Sequence, residues 1–508
     1  MNYIYGNYHK EVFKAYETAF PLVTGAFKDK QTSPWMSLRL KECIRKKAKL
    51  YKLYLRGVIT KGVYAAFRNR LTNVIRRSKA LYYSRQFYEN AKHSKVVWAI
   101  INGILNKRTN SGWTQVLVNG TVLTGEALAN YANNYFVSIA NTLSNSLPGP
   151  PMFTCLAPPV MVSCYFRPAS LSEVIKIIKN LSNKGSKLLD IHPLILKENI
   201  ILFGNHFMVL YNISLEKVVF PDLLKIARVS PVHKSGEPDV IDNYRPISSL
   251  PQFSKIFERL TLDRMESFIC RNNILTPCQF GFRRGRSTTL AVIKLVSHVI
   301  KAYHEKMYSA CFFLDLRKAF DTVNHELLIK KLEHFGFRGQ CSDYISSYYS
   351  NREQYVRVDG YNSFSEPVVS GVPQGSILGP LCFSLYINDL PLAVKEEVIL
   401  FADDAAFVII SRTLAGLYEK IREMFSDLSR YLNMNKLIPN SGKSKLLMFK
   451  SRPTTDLPSF SFGGEEIEWI TEYKYLGITL TSNLNYSKHI NNVSLKISRI
   501  VGSLHLLP

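Results

Sequence analysis

Two adjacent carboxylates stand between two apolar runs of the chain. The stretch Val398–Ile410 reads VILFADDAAFVII, and its simplest structure is a β-hairpin with Asp403 and Asp404 at or beside the turn. Aspartate is common in turns for structural reasons alone, so the pair is open to a purely structural interpretation. Two neighbouring carboxylates repel each other unless a cation holds them, and this favours a functional role.

A third carboxylate, Asp315, ends a second apolar run, Cys311–Leu314 (CFFL). We predict that it projects at a strand end, where the chain turns into a helix beginning near Ala319. Carboxylates brought together from two strand ends suit Mg²⁺, which prefers oxygen ligands and leaves places for substrate phosphates. Two such ions can activate a 3′-hydroxyl and stabilise a leaving pyrophosphate. Nucleic-acid polymerisation is the reaction that this arrangement indicates.

The elements that would position these carboxylates alternate between strands and helices after Ile226. The predicted strands are Ala227–Val232, Ser309–Leu316, Tyr355–Val358, Val398–Phe401, Phe407–Ile410 and Leu446–Phe449. The predicted helices are Ser254–Asn272, Thr288–Lys306, Glu326–Glu333 and Leu414–Met434. This mixture predicts an α+β fold in which an antiparallel sheet carries helices on one side. Upstream, Ser170 followed by Glu173 predicts a capping box that starts a short helix.

Length and composition limit the class of protein. The chain has 508 residues, a net charge of +26 and 46% hydrophobic residues, so we expect more than one folded domain rather than a disordered chain. No apolar run approaches the roughly 18 residues of a membrane span, so we expect no membrane association. The eight cysteines form no C-x-x-C pair, which favours reduced thiols and an intracellular location.

More than half of the net charge lies between Arg39 and Lys95. This stretch has 17 Lys or Arg against two acids, Glu42 and Glu89, a balance of 17 − 2 = +15, with eight Tyr or Phe interspersed. Apolar residues at three and four spacing predict two or three amphipathic helices. Nucleic-acid phosphates are the favoured partner. A solvated helical face and an anionic membrane surface remain alternatives.

Six short motifs occur one after another between Pro231 and Gly477. They are Pro231–Gly236 (PVHKSG) with Asn243–Ile247 (NYRPI), Gln279–Ser287 (QFGFRRGRS), Phe313–Asp321 (FLDLRKAFD), Gly371–Pro380 (GVPQGSILGP), Phe401–Asp404 (FADD) and Tyr475–Gly477 (YLG). The sequences of these motifs, and their order, resemble those of the non-LTR (LINE-type, jockey-like) retrotransposon reverse transcriptases. The resemblance spans about Leu224 to Leu480 and implies the fingers and palm of a right-hand polymerase.

The resemblance implies a two-metal active site that uses Mg²⁺, for which Mn²⁺ can substitute. The implied metal ligands are Asp315, Asp403, Asp404 and, through its main-chain carbonyl, Leu316. Lys443, in the segment NSGKS, matches the lysine proposed to protonate the leaving pyrophosphate. The family usually has Thr where this chain has Ser444. Asp321 is interpreted as structural.

The resemblance also implies which residues bind the nucleotide: Lys234, Arg245, Phe320 and Gln374. The planar guanidinium of Arg245 can bind two phosphate oxygens, whereas the ammonium of Lys234 acts as a point charge. The alternative for Lys234 is that it is an ordinary solvent-exposed surface residue. Phe320 would lie beneath the sugar of the incoming nucleotide and exclude ribonucleotides. Ordinary core packing is the alternative for Phe320.

Template and primer contacts are implied at two further motifs and at one loop. The residues are Arg283, Arg284, Arg286, Gly375, Tyr475 and Gly477. The three arginines surround Gly285, and we expect them to bind template phosphates, although an exposed loop of any protein can carry such residues. Glycines near Gln374 would let the backbone approach the nucleotide closely.

The chain is predicted to contain five regions. Residues 1–145 form a basic, mainly helical N-terminal connector that binds nucleic acid, and 146–168 form a Pro-rich linker. Residues 169–223 form a helical segment leading into the fingers, 224–480 the fingers and palm, and 481–508 the start of a truncated thumb. Nothing in residues 1–220 resembles the endonuclease that commonly precedes such a polymerase.

The leading hypothesis is an RNA-directed DNA polymerase. Its partners would be an RNA template, a DNA primer and deoxynucleoside triphosphates, and it would act in the nucleus, the cytoplasm or both. A catalytically silent nucleic-acid-binding remnant is the first alternative, and a role resembling that of an intron maturase is a weaker one. The oligomeric state is left open.

Overall fold

A computed structural model of the protein describes residues 1–21, 33–91, 93–104, 113–118, 120–145, 153–183, 191–234, 236–449 and 457–505. The first part of the predicted linker, residues 146–152, lies outside these ranges, as do residues 506–508. The chain divides into two units. The larger comprises Met1–Pro21 and Gly112–Tyr486, and the smaller comprises Leu22–Ser111 and Ser487–Pro508.

The helices of the described residues are distributed over both units. They are α1 (Asn2–Ala19), α2 (Leu38–Leu55), α3 (Lys61–Glu89), α4 (Ser94–Ile104), α5 (Gly125–Asn145), α6 (Leu171–Asn180), α7 (Pro193–Glu198), α8 (Ile200–Glu216), α9 (Gln252–Arg271), α10 (Thr288–His304), α11 (His325–His334), α12 (Gln340–Tyr349), α13 (Gly379–Tyr386), α14 (Leu414–Met434) and α15 (Ser487–His505). None of these described helices is long and apolar enough to cross a membrane.

The strands all belong to the larger unit. They are β1 (Gln115–Val118), β2 (Thr121–Thr124), β3 (Ala227–His233), β4 (Tyr244–Ser249), β5 (Tyr308–Leu314), β6 (Arg352–Val358), β7 (Tyr361–Asn362), β8 (Glu366–Val368), β9 (Glu397–Phe401), β10 (Asp404–Ser411), β11 (Lys445–Phe449), β12 (Ser461–Phe462), β13 (Glu465–Glu466), β14 (Trp469–Ile470), β15 (Glu472–Tyr475) and β16 (Ile478–Thr481). A mixed α and β fold is therefore confirmed.

The sheet that carries the three aspartates has the strand order β14-β11-β5-β10-β9. Strand β5 is antiparallel to both β10 and β11, and only the β11–β14 pair is parallel. Leu314 at the end of β5 pairs with Ala405 near the start of β10. Asp315 follows Leu314 in the chain, and Asp404 precedes Ala405. Because the two strands are antiparallel, this register places Asp315 and Asp404 side by side at one end of the sheet.

Helices cover both faces of this sheet, so the prediction of helices on one side is wrong. Helix α10 packs Leu295 on the face that contains Cys311 and Phe313. Helix α14 packs Phe425 on the opposite face, where its ring lies 4.7 Å from the ring of Phe312. The physical reason is the unbroken apolar run of β5, because both alternating sets of its side chains need a covering layer.

The helix predicted to begin near Ala319 is also absent from this described stretch. Residues 317–321 form turns, and helix α11 begins only at His325. Lys318 has φ +47°, which is incompatible with a right-handed helix. Asn324 then caps α11 by accepting a hydrogen bond from the main-chain N–H of Leu327 at 2.9 Å.

A second sheet has the order β4-β3-β6-β7, with β8 also paired to β6. Its apolar face packs on helix α5 through Leu128 and Ala132, which contact a core that includes Val229 and Val356. Strands β3 and β4 form an antiparallel hairpin in which Val232 pairs with Arg245. The free end of that hairpin carries Lys234, next to the sequence motif that surrounds Arg245.

Two smaller features complete the fold. Ser170 Oγ accepts a hydrogen bond from the N–H of Glu173, and Glu173 Oε2 accepts one from the N–H of Ser170 at 3.0 Å, so the predicted capping box of α6 is confirmed. In the smaller unit, α2 and α3 pack against each other, and these two helices contain most of the residues of the basic stretch. The rings of Tyr54 and Tyr64 stack 5.9 Å apart between these two helices.

Candidate active site

The turn between β9 and β10 presents Asp403 and Asp404. Phe401 pairs with Asp404, so Ala402 and Asp403 are the two residues of the turn. Ala402 has φ +57°, a left-handed conformation that costs a residue with a Cβ about 1 kcal/mol or more. Backbone strain of this kind is common at functional sites, where the surrounding structure holds it in place.

The segment Gln279–Gly281 holds this turn from one side. Phe280 N–H donates to the carbonyl of Leu400 at 2.8 Å, which aligns the segment beside β9. Gln279 Oε1 accepts hydrogen bonds from the N–H groups of Gly281 at 2.8 Å and of Ala402 at 3.2 Å. A Cβ on Gly281 would lie 2.3 Å from the main-chain nitrogen of Ala402, so only glycine allows this approach.

Asp315 is held from another side by the loop before β11. Asn440 Nδ2 donates to Asp315 Oδ2 at 2.7 Å, and the main-chain N–H of Asn440 donates to the carbonyl of Asp315 at 2.8 Å. Ser444 Oγ accepts from the N–H of Asp315 at 3.1 Å and donates to the carbonyl of Asn440 at 2.9 Å. Lys443, whose side chain is exposed, stands between these two bracing residues.

The electrostatics of the three carboxylates show that they lie close together. Burial and the negative charge of Asp315 both raise the pKa of Asp403. Asp404 keeps access to solvent, yet the surrounding protein, together with Asp403 and Asp315, raises its pKa to about 6. The cluster therefore accumulates negative charge that a cation would relieve.

Two exposed cations face this cluster from the β3–β4 hairpin. The positive charges of Lys234 and Arg245 oppose the rise in the pKa of both Asp403 and Asp404. Lys234 is fixed to the hairpin because its main-chain N–H donates to the carbonyl of Asn243 at 2.9 Å. The arrangement puts positive charge near the carboxylates, and cations of these types bind phosphate groups.

Lys318 connects the turn after Asp315 to the same hairpin. Its Nζ donates to the carbonyls of Asp242 at 3.1 Å and Tyr244 at 3.4 Å, and it also lies 3.1 Å from Asp242 Oδ1. The ammonium lies 5.8 Å from the centre of the Tyr135 ring, within the range of a cation–π contact. Lys318 thus connects the hairpin to the motif that contains Asp315.

Phe320 and Gln374 lie near one another but have mainly protein partners. The half-buried ring of Phe320 stacks on Phe383 at 4.6 Å and meets Phe282 edge-on at 6.4 Å. Gln374 Nε2 donates to both carboxylate oxygens of Asp321, at 2.9 and 3.0 Å, and burial raises the pKa of Asp321 to about 6. Asp321 therefore holds the side-chain amide of Gln374 through these two hydrogen bonds.

Gly375 lies where the chain passes close to strand β4. Its φ is +125°, and a Cβ built there would lie 2.3 Å from the carbonyl oxygen of Ser248. The main-chain N–H of Ser248 donates to the carbonyl of Gln374 at 2.8 Å. Glycine is therefore required for this contact between the motif and the hairpin strand.

The arginine loop lies before α10. Arg283 donates to the carbonyl of Thr276 at 2.9 Å, and Arg286 lies 4.9 Å from the centre of the Phe280 ring. Arg284 and Arg286 are exposed. Two of the three arginines therefore also support the segment that braces the aspartate turn.

Tyr475 and Gly477 belong to the β15–β16 hairpin. Leu476 and Gly477 form its two-residue turn with φ +45° and +92°, as expected for a type I′ turn. Tyr475 is 3% exposed and packs 5.2 Å from the Phe313 ring. Tyr473 stacks on that ring at 4.2 Å, and burial together with Asp404 raises its pKa to about 12. The hairpin is thus anchored beside the carboxylates.

Three residues that the sequence interpretation did not assign lie at this site: Gln279, Lys318 and Asn440. Each was inside or next to a quoted motif, and that position was the only available signal. Their partners lie 74 to 125 residues away, as in the contacts of Lys318 with Tyr244 and of Asn440 with Asp315. Local sequence patterns carry no information about contacts at such separations.

The donors present fit a divalent cation that completes its ligand set with substrate. Within the described ranges, no group of three or more His, Cys, Asp or Glu side chains is placed so that it could hold a metal ion. Mg²⁺ is commonly bound by one or two carboxylates plus phosphate oxygens and water, which is the donor set available beside Asp315 and Asp403. Leu316 also forms an isolated β-bridge with Pro439. The two hydrogen bonds of this bridge run from Asn440 N–H to the carbonyl of Asp315 and from Arg317 N–H to the carbonyl of Ile438, so neither uses the carbonyl of Leu316.

Residues 232–480 match the protein family described as "Reverse transcriptase (RNA-dependent DNA polymerase)". These bounds enclose the three aspartates, the cations that face them and the segments that hold them. The chain therefore contains a reverse transcriptase domain.

Three proteins of Drosophila melanogaster that are similar to this chain indicate which kind of reverse transcriptase its domain resembles. The chain is 32% identical to the RNA-directed DNA polymerase from mobile element jockey and to the probable RNA-directed DNA polymerase from transposon BS, over 66% of this chain in both cases. It is 32% identical to that of transposon X-element over 67% of this chain. The matches span 38% of each relative. The reverse transcriptase domain belongs to the non-LTR, LINE-type retrotransposon family.

Proposed function

We propose that this protein is an RNA-directed DNA polymerase that extends the 3′-hydroxyl of a DNA primer on an RNA template. The observation that carries the proposal is the convergence of Asp315, Asp403 and Asp404 at neighbouring strand ends, opposite Lys234 and Arg245. Facing negative and positive groups of this kind suit a metal-bound triphosphate, whose phosphates need both. The similarity to three retrotransposon polymerases supports the same reaction.

The metal-binding role is assigned to the three aspartates, with Asp315 and Asp403 as principal ligands and the Leu316 carbonyl as a further donor. Two Mg²⁺ ions, or Mn²⁺ in their place, would lower the pKa of the attacking 3′-hydroxyl and neutralise charge on the phosphates. Lys443 extends from the loop that holds Asp315, and we assign it the donation of a proton to the departing pyrophosphate.

The other side chains bind and orient the substrates. Arg245 and Lys234 contact the triphosphate, Gln374 approaches the nucleotide and Phe320 lies under its sugar. The template and primer contacts are assigned to Arg283, Arg284, Arg286, Gly375, Tyr475 and Gly477. Residues 224–480 would then comprise the fingers and palm, with 169–223 leading into them and 481–508 beginning the thumb.

The basic helices α2 and α3 supply a second surface for nucleic acid. They lie in the region 1–145, which the linker 146–168 separates from the segment leading into the fingers. Their cations would bind the phosphates of template or primer, in a salt-dependent manner that does not depend on base sequence. We place the protein in the nucleus, the cytoplasm or both, where its scattered cysteines would stay reduced.

Primer extension tests this function directly. The full chain with Mg²⁺, an RNA template, an annealed DNA primer and deoxynucleoside triphosphates should give extended DNA. The Asp403→Ala variant should give none while binding the template–primer with unchanged affinity. Extension by both proteins would overturn the metal assignment. Extension by neither, with binding retained, would favour the alternative of a silent nucleic-acid-binding protein.

A further inference from the structure

We propose that Gln279 is a positioning residue for the metal-binding turn and that it acts only through the backbone. The inference rests on the proposed function of Asp403 but concerns a residue that contacts the backbone of the turn rather than the metal or the nucleotide. Gln279 is fully buried, so it contacts neither metal nor nucleotide from solvent. Its influence on the site must therefore pass through the groups to which it is bonded.

The geometry explains why this position needs a side-chain acceptor. Oε1 accepts from Ala402 N–H at 3.2 Å and from Gly281 N–H at 2.8 Å, so one oxygen joins the turn to the adjacent segment. Without this acceptor, both N–H groups would lose their partner in a region closed to water. A buried donor without a partner is costly, so the backbone would move to recover one.

Ala402 is the residue whose movement matters. Its φ of +57° is disfavoured for alanine, so the turn relaxes toward another conformation when its restraints weaken. Asp403 follows immediately in the chain, and a change in the conformation of Ala402 redirects its carboxylate. Asp315 is held independently by Asn440 and Ser444, so the separation of the two carboxylates would change.

Gly281 provides the second half of the restraint. The absence of a Cβ lets its backbone lie against Ala402, where an alanine Cβ would be 2.3 Å from the main-chain nitrogen. The turn is therefore confined between a steric wall at Gly281 and the hydrogen bonds of Gln279. Both halves come from three consecutive residues, which accounts for the tight spacing of glutamine and glycine in QFG.

The test measures metal binding rather than polymerase activity. Mn²⁺ binding to the full chain, followed by the paramagnetic resonance signal of the free ion, would be compared for wild type, Gln279→Met and Gln354→Met. Methionine has nearly the volume of glutamine but no acceptor oxygen. Gln354 is a matched control because it is also buried, lies on β6 of the other sheet and donates a hydrogen bond from Nε2 to Oδ1 of Asn133 on α5 at 3.1 Å.

We expect Gln279→Met to weaken Mn²⁺ binding about tenfold, whereas Gln354→Met should change it less than twofold. Amide hydrogen exchange across residues 398–406 should rise in the first variant and stay constant in the second. Equal Mn²⁺ affinity in wild type and Gln279→Met would overturn the proposal. If Gln279→Met does not fold, Gln279→Asn replaces it, since the shorter side chain withdraws the acceptor while keeping the amide.

Asp403→Ala separates this proposal from the proposed function. If that variant abolishes Mn²⁺ binding while Gln279→Met leaves it unchanged, the positioning role is wrong and the metal site stands. If Asp403→Ala also leaves Mn²⁺ binding unchanged, the metal site itself is wrong, and the positioning role falls with it.

Discussion

Replacing Lys318 by methionine tests whether the motif that contains Asp315 holds the β3–β4 hairpin in place. Methionine keeps most of the side-chain volume but removes the ammonium that bonds the carbonyls of Asp242 and Tyr244. Tyr244 immediately precedes Arg245, and Asp242 lies in the loop between β3 and β4 that also contains Lys234. Loss of the ammonium should therefore let the hairpin move relative to the carboxylates.

The expected magnitude follows from the bonds that are lost. A hydrogen bond to a charged group contributes about 1.5 to 3 kcal/mol, and the 3.4 Å contact lies at the weak end of any such range. The pairing with the exposed carboxylate of Asp242 adds about 1 kcal/mol or less. If about 2 kcal/mol of this total is needed to hold the hairpin, nucleotide binding weakens roughly 30-fold.

Steady-state primer extension at varied deoxynucleotide concentration measures the effect. We expect the KM for nucleotide to rise roughly 30-fold in Lys318→Met with a smaller change in kcat, and Lys318→Arg to recover part of the loss. Lys330→Met is the matched control, because Lys330 forms only an exposed ion pair with Glu326. An unchanged KM, or a fall in kcat alone, would refute the reasoning.

Three further predictions concern stability and pH. Gly375→Ala combines a clash with backbone strain and should lower the free energy of unfolding by about 2 to 4 kcal/mol. Gly464→Ala is strained but meets no neighbour within 4 Å, so it should lower the free energy of unfolding less. Thermal melting of both variants measures the difference. Asp404, with its pKa raised to about 6, binds its proton more tightly in the folded than in the unfolded protein. The metal-free protein should therefore lose stability as pH rises from about 4 to about 6. Urea unfolding should show a smaller loss over this pH range for Asp404→Asn than for the wild type. Lys331→Met removes one partner of a buried ion pair and should lower the free energy of unfolding by about 3 to 5 kcal/mol, against little change for Lys330→Met in the same urea titration.

The elements of the site could be predicted because their signals are local. The apolar runs beside Asp315 and beside Asp403 are strands β5, β9 and β10, and the capping box at Ser170 starts helix α6. Strand β10 is longer than predicted, since it begins at Asp404 rather than at Phe407. Periodicity and capping residues report the conformation of their own segment, so these predictions needed no tertiary information.

The two incorrect predictions concern features that local patterns do not determine. The turn after Asp315 contains good helix formers, but Lys318 adopts a positive φ and bonds the distant hairpin instead. The number of covered faces depends on which helices return to the sheet. The continuous apolar run of β5 did contain that information, because a strand with one wet face alternates apolar and polar residues.

The restraints at the site act mainly on the backbone, and this has a functional consequence. Gln279 bonds two main-chain N–H groups at the Asp403 turn, and Ser444 bonds the main-chain N–H of Asp315. Asn440 takes up one carboxylate oxygen of Asp315. Hydrogen bonds to the backbone fix where each carboxylate points without neutralising it, so the burial and the repulsion that together raise the pKa of Asp403 and Asp404 persist in the metal-free protein. A site that is both restrained and repulsive gains most from a divalent cation, because binding relieves the repulsion and needs little rearrangement.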